Sequence, residues 1–320
     1  MLSFPEHVTV VEVGPRDGLQ SLDHWVETDA KVAIVDRLSE AGFPVIEVTS
    51  FAHPRVVPML TDAEEVLARI RRRPGTVYRA LVPNKRGALR AVETDIDEIL
   101  GLMTVSASYL AKNQNMTLEQ AIEAGGECLR VADAAGRAFI MALGMSMYCP
   151  YEGVIDPALT LDCVARLRAR GVRRYYLAAS TGMEEPRQVN ELFRRARDRF
   201  PDCEFGFHLH ERMGLAPANL LAALDAGVTL VEGSICGIGG GIAFPGGTGT
   251  VGNLPSEDIV NFLDAMGIDT GLSPDAVLAA ARDVAALAGI PMLSRAGSVG
   301  TRAALTHLGA ARPASHPPHG

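Results

Sequence analysis

Two histidines separated by a single residue, His208 and His210, stand in the run EFGFHLH at residues 204–210. In a strand, the period of two sends both imidazoles to one face and Phe205, Phe207 and Leu209 to the other. Neutral imidazole is a common metal ligand, and such a pair at a strand end can offer two nitrogens to one ion; the spacing suits a hydrogen-bonded structural pair equally well. In the segment GPRDGLQ (14–20), Asp17 can give a hard oxygen to the same ion, and Arg16 a planar fork to a carboxylate, carbonyl or enolate. An Arg-Asp surface turn has the same spelling. A third segment, 237–253, is dense in glycine and ends at Asn253. Glycine permits positive φ and close backbone approach, so this stretch reads either as a loop that opens and closes over a ligand or as a flexible connector.

These groups need a scaffold, and the pattern of the chain supplies one. Short apolar runs at 8–13, 45–49, 77–81, 99–103, 139–144, 174–177, 204–210 and 228–232 read as eight strands. Between them lie amphipathic stretches at 29–40, 61–72, 118–136, 157–169, 185–200 and 216–226, several closed by a helix-ending glycine. Strand-to-strand spacing of about thirty to forty residues suits βα units, and eight of them predict an α/β (β/α)8 TIM barrel. A doubly wound sheet would carry a glycine-rich dinucleotide turn after its first strand, and GPRDG is not one. Further helices are expected at 256–266 and 274–287, beside or under the barrel. Residues 1–310 are read as one catalytic domain with this helical extension, and 311–320, rich in Pro, His and Ala, as a frayed tail. In a barrel, the work is done at the carboxyl ends of the strands, where the histidines, the Arg16–Asp17 turn and the glycine loop all fall.

Composition narrows the chemistry. The 320 residues are 48% hydrophobic and 21% charged, with a net charge of −8 and no basic run interleaved with aromatics. A nucleic-acid footprint is therefore missing, and small molecules are the expected partners. No apolar run is long enough to span a bilayer, and the start MLSFPEHVTVVEVG lacks the marks of a signal peptide, so a cytoplasmic location and no membrane partner are expected. Five cysteines without C-x-x-C pairing read as reduced thiols. Three lysines only, Lys31, Lys85 and Lys112, lie outside the apolar strand runs, which disfavours a Schiff-base aldolase.

Taken together, VEVGPRDGLQ (11–20), VIEVTSF (45–51), LVPN (81–84), CPYEG (149–153) and HLH (208–210) with Gly214, Ala218 and Asn219 resemble the 3-hydroxy-3-methylglutaryl-CoA lyase family, within the metal-dependent lyases and Claisen-type synthases built on TIM barrels. The segments run in that family's order to about residue 265. The resemblance implies a divalent cation, Mg²⁺ or Mn²⁺, held by Asp17, His208, His210 and Asn253. It implies that Arg16 stabilises an enolate as a carbon–carbon bond breaks, with Gln20 and Glu47 organising the same pocket. Asn84, Ser106 and Lys112 are implied contacts to a cofactor-like coenzyme A portion, Lys112 near its phosphates, with Ser50 a further candidate. The expected substrate is a coenzyme A thioester or a related 3-hydroxy acid, and a homo-oligomer is expected.

Three departures bear on the substrate. Gly241 stands where the lyases carry a catalytic cysteine, and the loop is about three residues longer; AASTG (178–182) replaces their G-D-T segment, placing Ala179 at the aspartate; and ERMG (211–214) replaces D-T-Y-G, adding Arg212. Cys236 is read as a buried small residue rather than a substitute thiol. Poor cleavage of 3-hydroxy-3-methylglutaryl-CoA itself is therefore expected, with Glu47, His210 or a metal-bound hydroxide as candidate bases. A condensing enzyme of the isopropylmalate synthase kind is the alternative, although its G-I-G-E-R-A-G-N loop departs from GIGG (237–240); a ligand-binding barrel without turnover is the other.

Overall fold

The computed structural model describes residues 2–240 and 251–311. Its barrel strands are β1 (Thr9–Glu12), β2 (Val45–Ser50), β3 (Val77–Val82), β4 (Glu98–Thr104), β5 (Ala138–Gly144), β6 (Arg174–Ala179), β7 (Glu204–Glu211) and β8 (Leu230–Gly233), and a short strand at Gly252–Asn253 pairs antiparallel with β7, Asn253 opposite His210. All eight pair in parallel and in chain order. β8 pairs with β7, Glu232 opposite His208, and with β1, Val231 opposite Val10, so the sheet closes on itself without an edge. Seven helices join consecutive strands: α1 (Thr28–Glu40), α2 (Ala63–Arg69), α3 (Lys85–Val92), α4 (Leu118–Ala134), α5 (Pro157–Arg168), α6 (Pro186–Arg199) and α7 (Ala216–Asp225). α8 (Ser256–Ala265) follows β8, and α9 (Pro274–Ala288), α10 (Arg295–Val299) and α11 (Arg302–Ala311) complete the expected TIM barrel with its C-terminal helices. α9 packs on α1 and α8. None of these helices is long and apolar enough to cross a membrane. The expected tail, 311–320, lies outside the described residues apart from Ala311.

The strands read as nearly unbroken apolar runs because both faces are buried. Their alternation separates two cores. Along β3, Tyr78, Ala80 and Val82 join the shell between strands and helices, while Leu81 enters the lumen with Val11, Val13, Leu100, Ile140 and Tyr176. Along β7, Phe205, Phe207 and Leu209 go outward, as their spacing requires. Two helices depart from expectation. α2 stops at Arg69 rather than 72, because the Arg71 backbone N–H donates to Asp36 Oδ1 at 2.7 Å instead of to a helical carbonyl. α3, only eight residues long and interrupted by Gly87, gave no clear period in the sequence and is started by the Asn84 cap.

Candidate active site

The carboxyl ends of β1, β7 and β8 meet around one cleft. After β1 the chain tightens into a π-helical turn, Gly14–Gly18, in which the backbone N–H groups of Arg16, Asp17 and Gly18 all point at Val13 O, at 3.1, 2.7 and 3.4 Å. Glu12, at the foot of this turn, accepts from Gly14 N at 2.7 Å and from Ile235 N at 2.9 Å, tying the turn to the segment after β8. Gly18 has no room for a side chain: a Cβ there would lie 2.6 Å from the Ile238 side chain. The turn is therefore clamped before any ligand arrives.

Arg16 and Asp17 are both buried, and both are paired. Arg16 Nε donates to Glu47 Oε1, and Arg16 NH1 to Asp17 Oδ1 at 2.6 Å. Burial works against the Arg16 charge, but Glu47 and Asp17 outweigh it and raise the guanidinium above its ordinary value. Burial likewise opposes the Asp17 charge, yet Arg16 and the two histidines hold this carboxyl well below the usual range. Asp17 stays an anion.

His208 and His210 share the lumen side of β7, with ring centroids 4.8 Å apart. His210 Nδ1 donates to Ser180 O at 2.5 Å, and His208 Nδ1 to Glu232 Oε2 at 2.8 Å. A carbonyl and a carboxylate can only accept, so both ring protons are assigned to Nδ1. The two Nε2 atoms then face each other at 3.0 Å as lone pairs, with Asp17 Oδ2 3.5 Å from that of His210. One ligand atom from each of Asp17, His208 and His210 lies within 4.8 Å of the others. Asn253 Nδ2 donates to Asp17 Oδ2 at 2.7 Å and to Ile238 O at 3.1 Å, while its buried Oδ1 has no hydrogen-bond partner among the described residues. Facing lone pairs, a carboxylate and an orphaned amide oxygen form an arrangement that a cation satisfies. Burial lowers His208, but Glu232 and Asp17 raise it above the ordinary imidazole value.

The cleft beside these groups measures about 180 Å³. Arg16, Asp17, Gln20, His208, His210 and Glu232 are among its polar lining, and Leu81, Leu100, Leu102, Ala142 and Ala178 among its apolar lining. Gln20 Nε2 approaches Asp17 Oδ1 at 3.5 Å. Glu47 is fully buried under Arg16 and is not part of the cleft wall, which makes it an organiser of Arg16 rather than a group that touches a ligand. At the end of β6 the cleft meets Ala178 and Ser180, whereas Ala179 packs in the outer shell.

The structure does not bring the other expected residues to the cleft wall. Asn84 Oδ1 accepts from Gly87 N at 3.0 Å, capping α3. Ser106 Oγ accepts from Tyr109 N at 3.0 Å and donates to Glu152 Oε1 at 2.9 Å, tying the segment after β4 to the CPYEG turn. Ser50 Oγ accepts from Ala52 N at 3.2 Å. Lys112 is exposed, its ammonium 5.2 Å from the Tyr151 ring centroid. Cys236 is buried, with its Sγ donating to Ala281 O at 3.2 Å, and burial pushes the thiol up, away from thiolate. Gly241 and residues 242–250, on which the missing cysteine and the opening loop were placed, lie outside the described residues.

Three buried lumen residues were missed as a group by reasoning from the sequence: Glu232, which lines the cleft, and Arg79 and Glu98, which do not. A signal was present. Charged residues sit inside apolar strand runs in β2, β3, β4 and β8, which is unfavourable unless they pair.

Residues 7–284 match the model of the HMGL-like family. The chain is 36% identical to the mitochondrial hydroxymethylglutaryl-CoA lyase of Bos taurus over 87% of its own length and 85% of that protein. Among solved structures, an HMG-CoA lyase from A. baumannii in complex with coenzyme A and 3-methylmalate superposes with a TM-score of 0.87 at 32% identity, covering 94% of this chain and 98% of that one. The HMG-CoA lyase of Bacillus subtilis gives 0.88 at 34% identity, over 93% and 99%. With the family match spanning most of the barrel, the chain belongs to the HMGL-like family.

Proposed function

We propose that this protein is a divalent-metal-dependent carbon–carbon lyase that cleaves a 3-hydroxyacyl thioester of the 3-hydroxy-3-methylglutaryl-CoA kind. The observation that carries the reading is the pair of facing His208 and His210 Nε2 atoms beside Asp17, with Arg16 lining the same cleft. Asp17, His208, His210 and Asn253 would hold the cation, Mg²⁺ or Mn²⁺; their oxygen and imidazole donors, with no thiolate among them, suit a hard or borderline ion. When bound, it supplies Lewis acidity to hydroxyl and carbonyl oxygens.

The reaction is a retro-aldol cleavage. The C3 hydroxyl loses its proton, the C2–C3 bond breaks, C3 becomes a ketone, and C2 leaves as the thioester enolate, which takes up one proton at C2 to give the acetyl thioester. Arg16 donates toward the thioester oxygen on which that charge develops, and Glu47 holds the fork aligned beforehand, so little reorganisation is needed as the bond breaks. The apolar lining of Leu81, Leu100, Ala142 and Ala178 receives the alkyl part of the acyl group and excludes water. His210 donates its Nδ1 proton to Ser180 O and would give Nε2 to the cation, so neither ring nitrogen is free to take the hydroxyl proton while the cation is held. A coenzyme A thioester is supported by the relative crystallised with coenzyme A, and Lys112, exposed beside Tyr151, is the proposed cation for its phosphates.

Assay of the purified protein with 3-hydroxy-3-methylglutaryl-CoA and Mg²⁺ or Mn²⁺ tests this function by release of acetyl-CoA. Chelation should abolish release and either cation restore it. Because the resemblance sets Gly241 where the lyases carry a catalytic cysteine, turnover of this thioester should fall below the ordinary enzyme range of about 1 to 10³ per second. Activity that survives exhaustive chelation would sink the metal-dependent reading.

A further inference from the structure

We propose that Arg79, in the middle of the barrel lumen, is a positioning residue that aligns both halves of the active site, His208 through Glu232 and Arg16 through Glu47.

Arg79 has no exposed surface. Its NH1 donates to Glu232 Oε1 at 2.7 Å and lies 3.7 Å from Glu47 Oε2, an ion-pair contact longer than a hydrogen bond. Its Nε donates to Glu98 Oε2 at 2.7 Å, and its NH2 to Tyr176 Oη at 3.2 Å. Each upper carboxylate is thus divided. Glu232 turns one oxygen to Arg79 and the other to His208 Nδ1, at 2.8 Å; Glu47 turns one to Arg79 and the other to Arg16 Nε. A single guanidinium nitrogen reaches both. Below, Arg174 pairs with Glu98 and, at 2.6 Å, with Glu204, so alternating charges run up the lumen to the site.

Stability alone gives a poor account of this arrangement. Buried ion pairs seldom stabilise a core more than well-packed apolar side chains do, and the neighbouring lumen positions are held by Leu81, Leu100 and Ile140. What an apolar residue could not do is hold two like-charged carboxylates side by side. Without Arg79 they repel and turn apart, and both His208 and Arg16 lose their fixed acceptors. Outer partners of this kind typically change metal affinity or activity by about 10- to 100-fold.

This inference rests on His208 as a cation ligand, so Mn²⁺ binding by the wild-type protein is measured first, by electron paramagnetic resonance of free Mn²⁺. Failure there would reject the proposed site itself. Arg79→Met, Arg79→Lys and the double variant Arg79→Met/Glu98→Gln are then compared for Mn²⁺ affinity, kcat, KM and urea unfolding. Arg79→Met should bind Mn²⁺ about 10- to 100-fold more weakly and lose kcat. Arg79→Lys, which keeps the charge but not the fork, should fall between it and wild type. Removing one acid in the double variant should recover stability without recovering Mn²⁺ affinity, a split that a merely structural role would not produce. If Arg79→Met does not fold, the lysine and double variants carry the comparison. Wild-type Mn²⁺ affinity in a folded Arg79→Met protein, or recovery of affinity and stability together in the double variant, would overturn the proposal.

Discussion

Asp17 and Asn253 are 236 residues apart, yet Asn253 Nδ2 donates to Asp17 Oδ2 at 2.7 Å. The contact exists because β8 closes the barrel against β1, bringing the segment after the last strand onto the turn after the first. It also reserves the amide: both donations are spent on Asp17 and Ile238, and Oδ1 is left for another partner.

Replacing Asn253 should therefore weaken cation binding more than it weakens the fold. Asn253→Ala is expected to reduce Mn²⁺ affinity by about tenfold to a hundredfold, the range for groups that support a metal site, with kcat falling when the cation is not saturating. Titration followed by the free Mn²⁺ signal checks this. Unchanged affinity would remove Asn253 from the ligand set.

Arg16 tests the electrostatic part of the proposed mechanism. Its fork is shared between Glu47 and Asp17, so the charge is fixed and aimed before the reaction begins. Arg16→Lys keeps the charge but cannot make both contacts in one plane. We expect kcat to fall by about 10² to 10³ with KM changed much less, the signature of an interaction realised as the enolate forms. A raised KM with kcat intact would make Arg16 an anchor for the bound substrate instead.

The barrel was legible because alternating apolar runs and amphipathic stretches leave few other topologies. The shared face of His208 and His210 followed from a period of two within one strand. Arg16 and Asn253 stood out only as polar residues after the first strand and at the end of the glycine segment; the cation-ligand role of Asn253 came from the likeness to a family. Asn84 and Ser106 illustrate a different difficulty: a polar side chain a few residues ahead of a backbone N–H that needs capping can match a family motif while its own hydrogen bonds are structural. Arg79 was the hardest to read. In β3 it is one charge in an apolar run, and its partners Glu47, Glu98 and Glu232 come from three other strands. Their convergence is a property of closure, which no local window contains.

Two further buried acids make the stability of the fold depend on pH in an unusual direction. Burial pushes the Glu12 carboxyl up from 4.5 to about 8 and Glu257 from 4.5 to about 7. Over the interval between the unfolded and folded values, the native state binds more protons than the unfolded chain, so these groups make stability fall as pH rises. The decline should begin above about pH 4.5, lose the Glu257 contribution near 7 and level off above about 8. Each group contributes a slope of up to about 1.4 kcal/mol per pH unit where it is protonated only in the native state. Glu12→Gln keeps an oxygen for the N–H groups of Gly14 and Ile235 but cannot ionise. Urea unfolding from pH 5 to 8.5 should therefore show a shallower decline for the variant, with its advantage over wild type greatest at the alkaline end. Parallel curves for the two proteins would mean that Glu12 ionises in the native state as readily as in the unfolded chain. The tie between the β1 turn and the β8 segment would then be made by a carboxylate, and its two backbone donors would be enough to hold a buried negative charge.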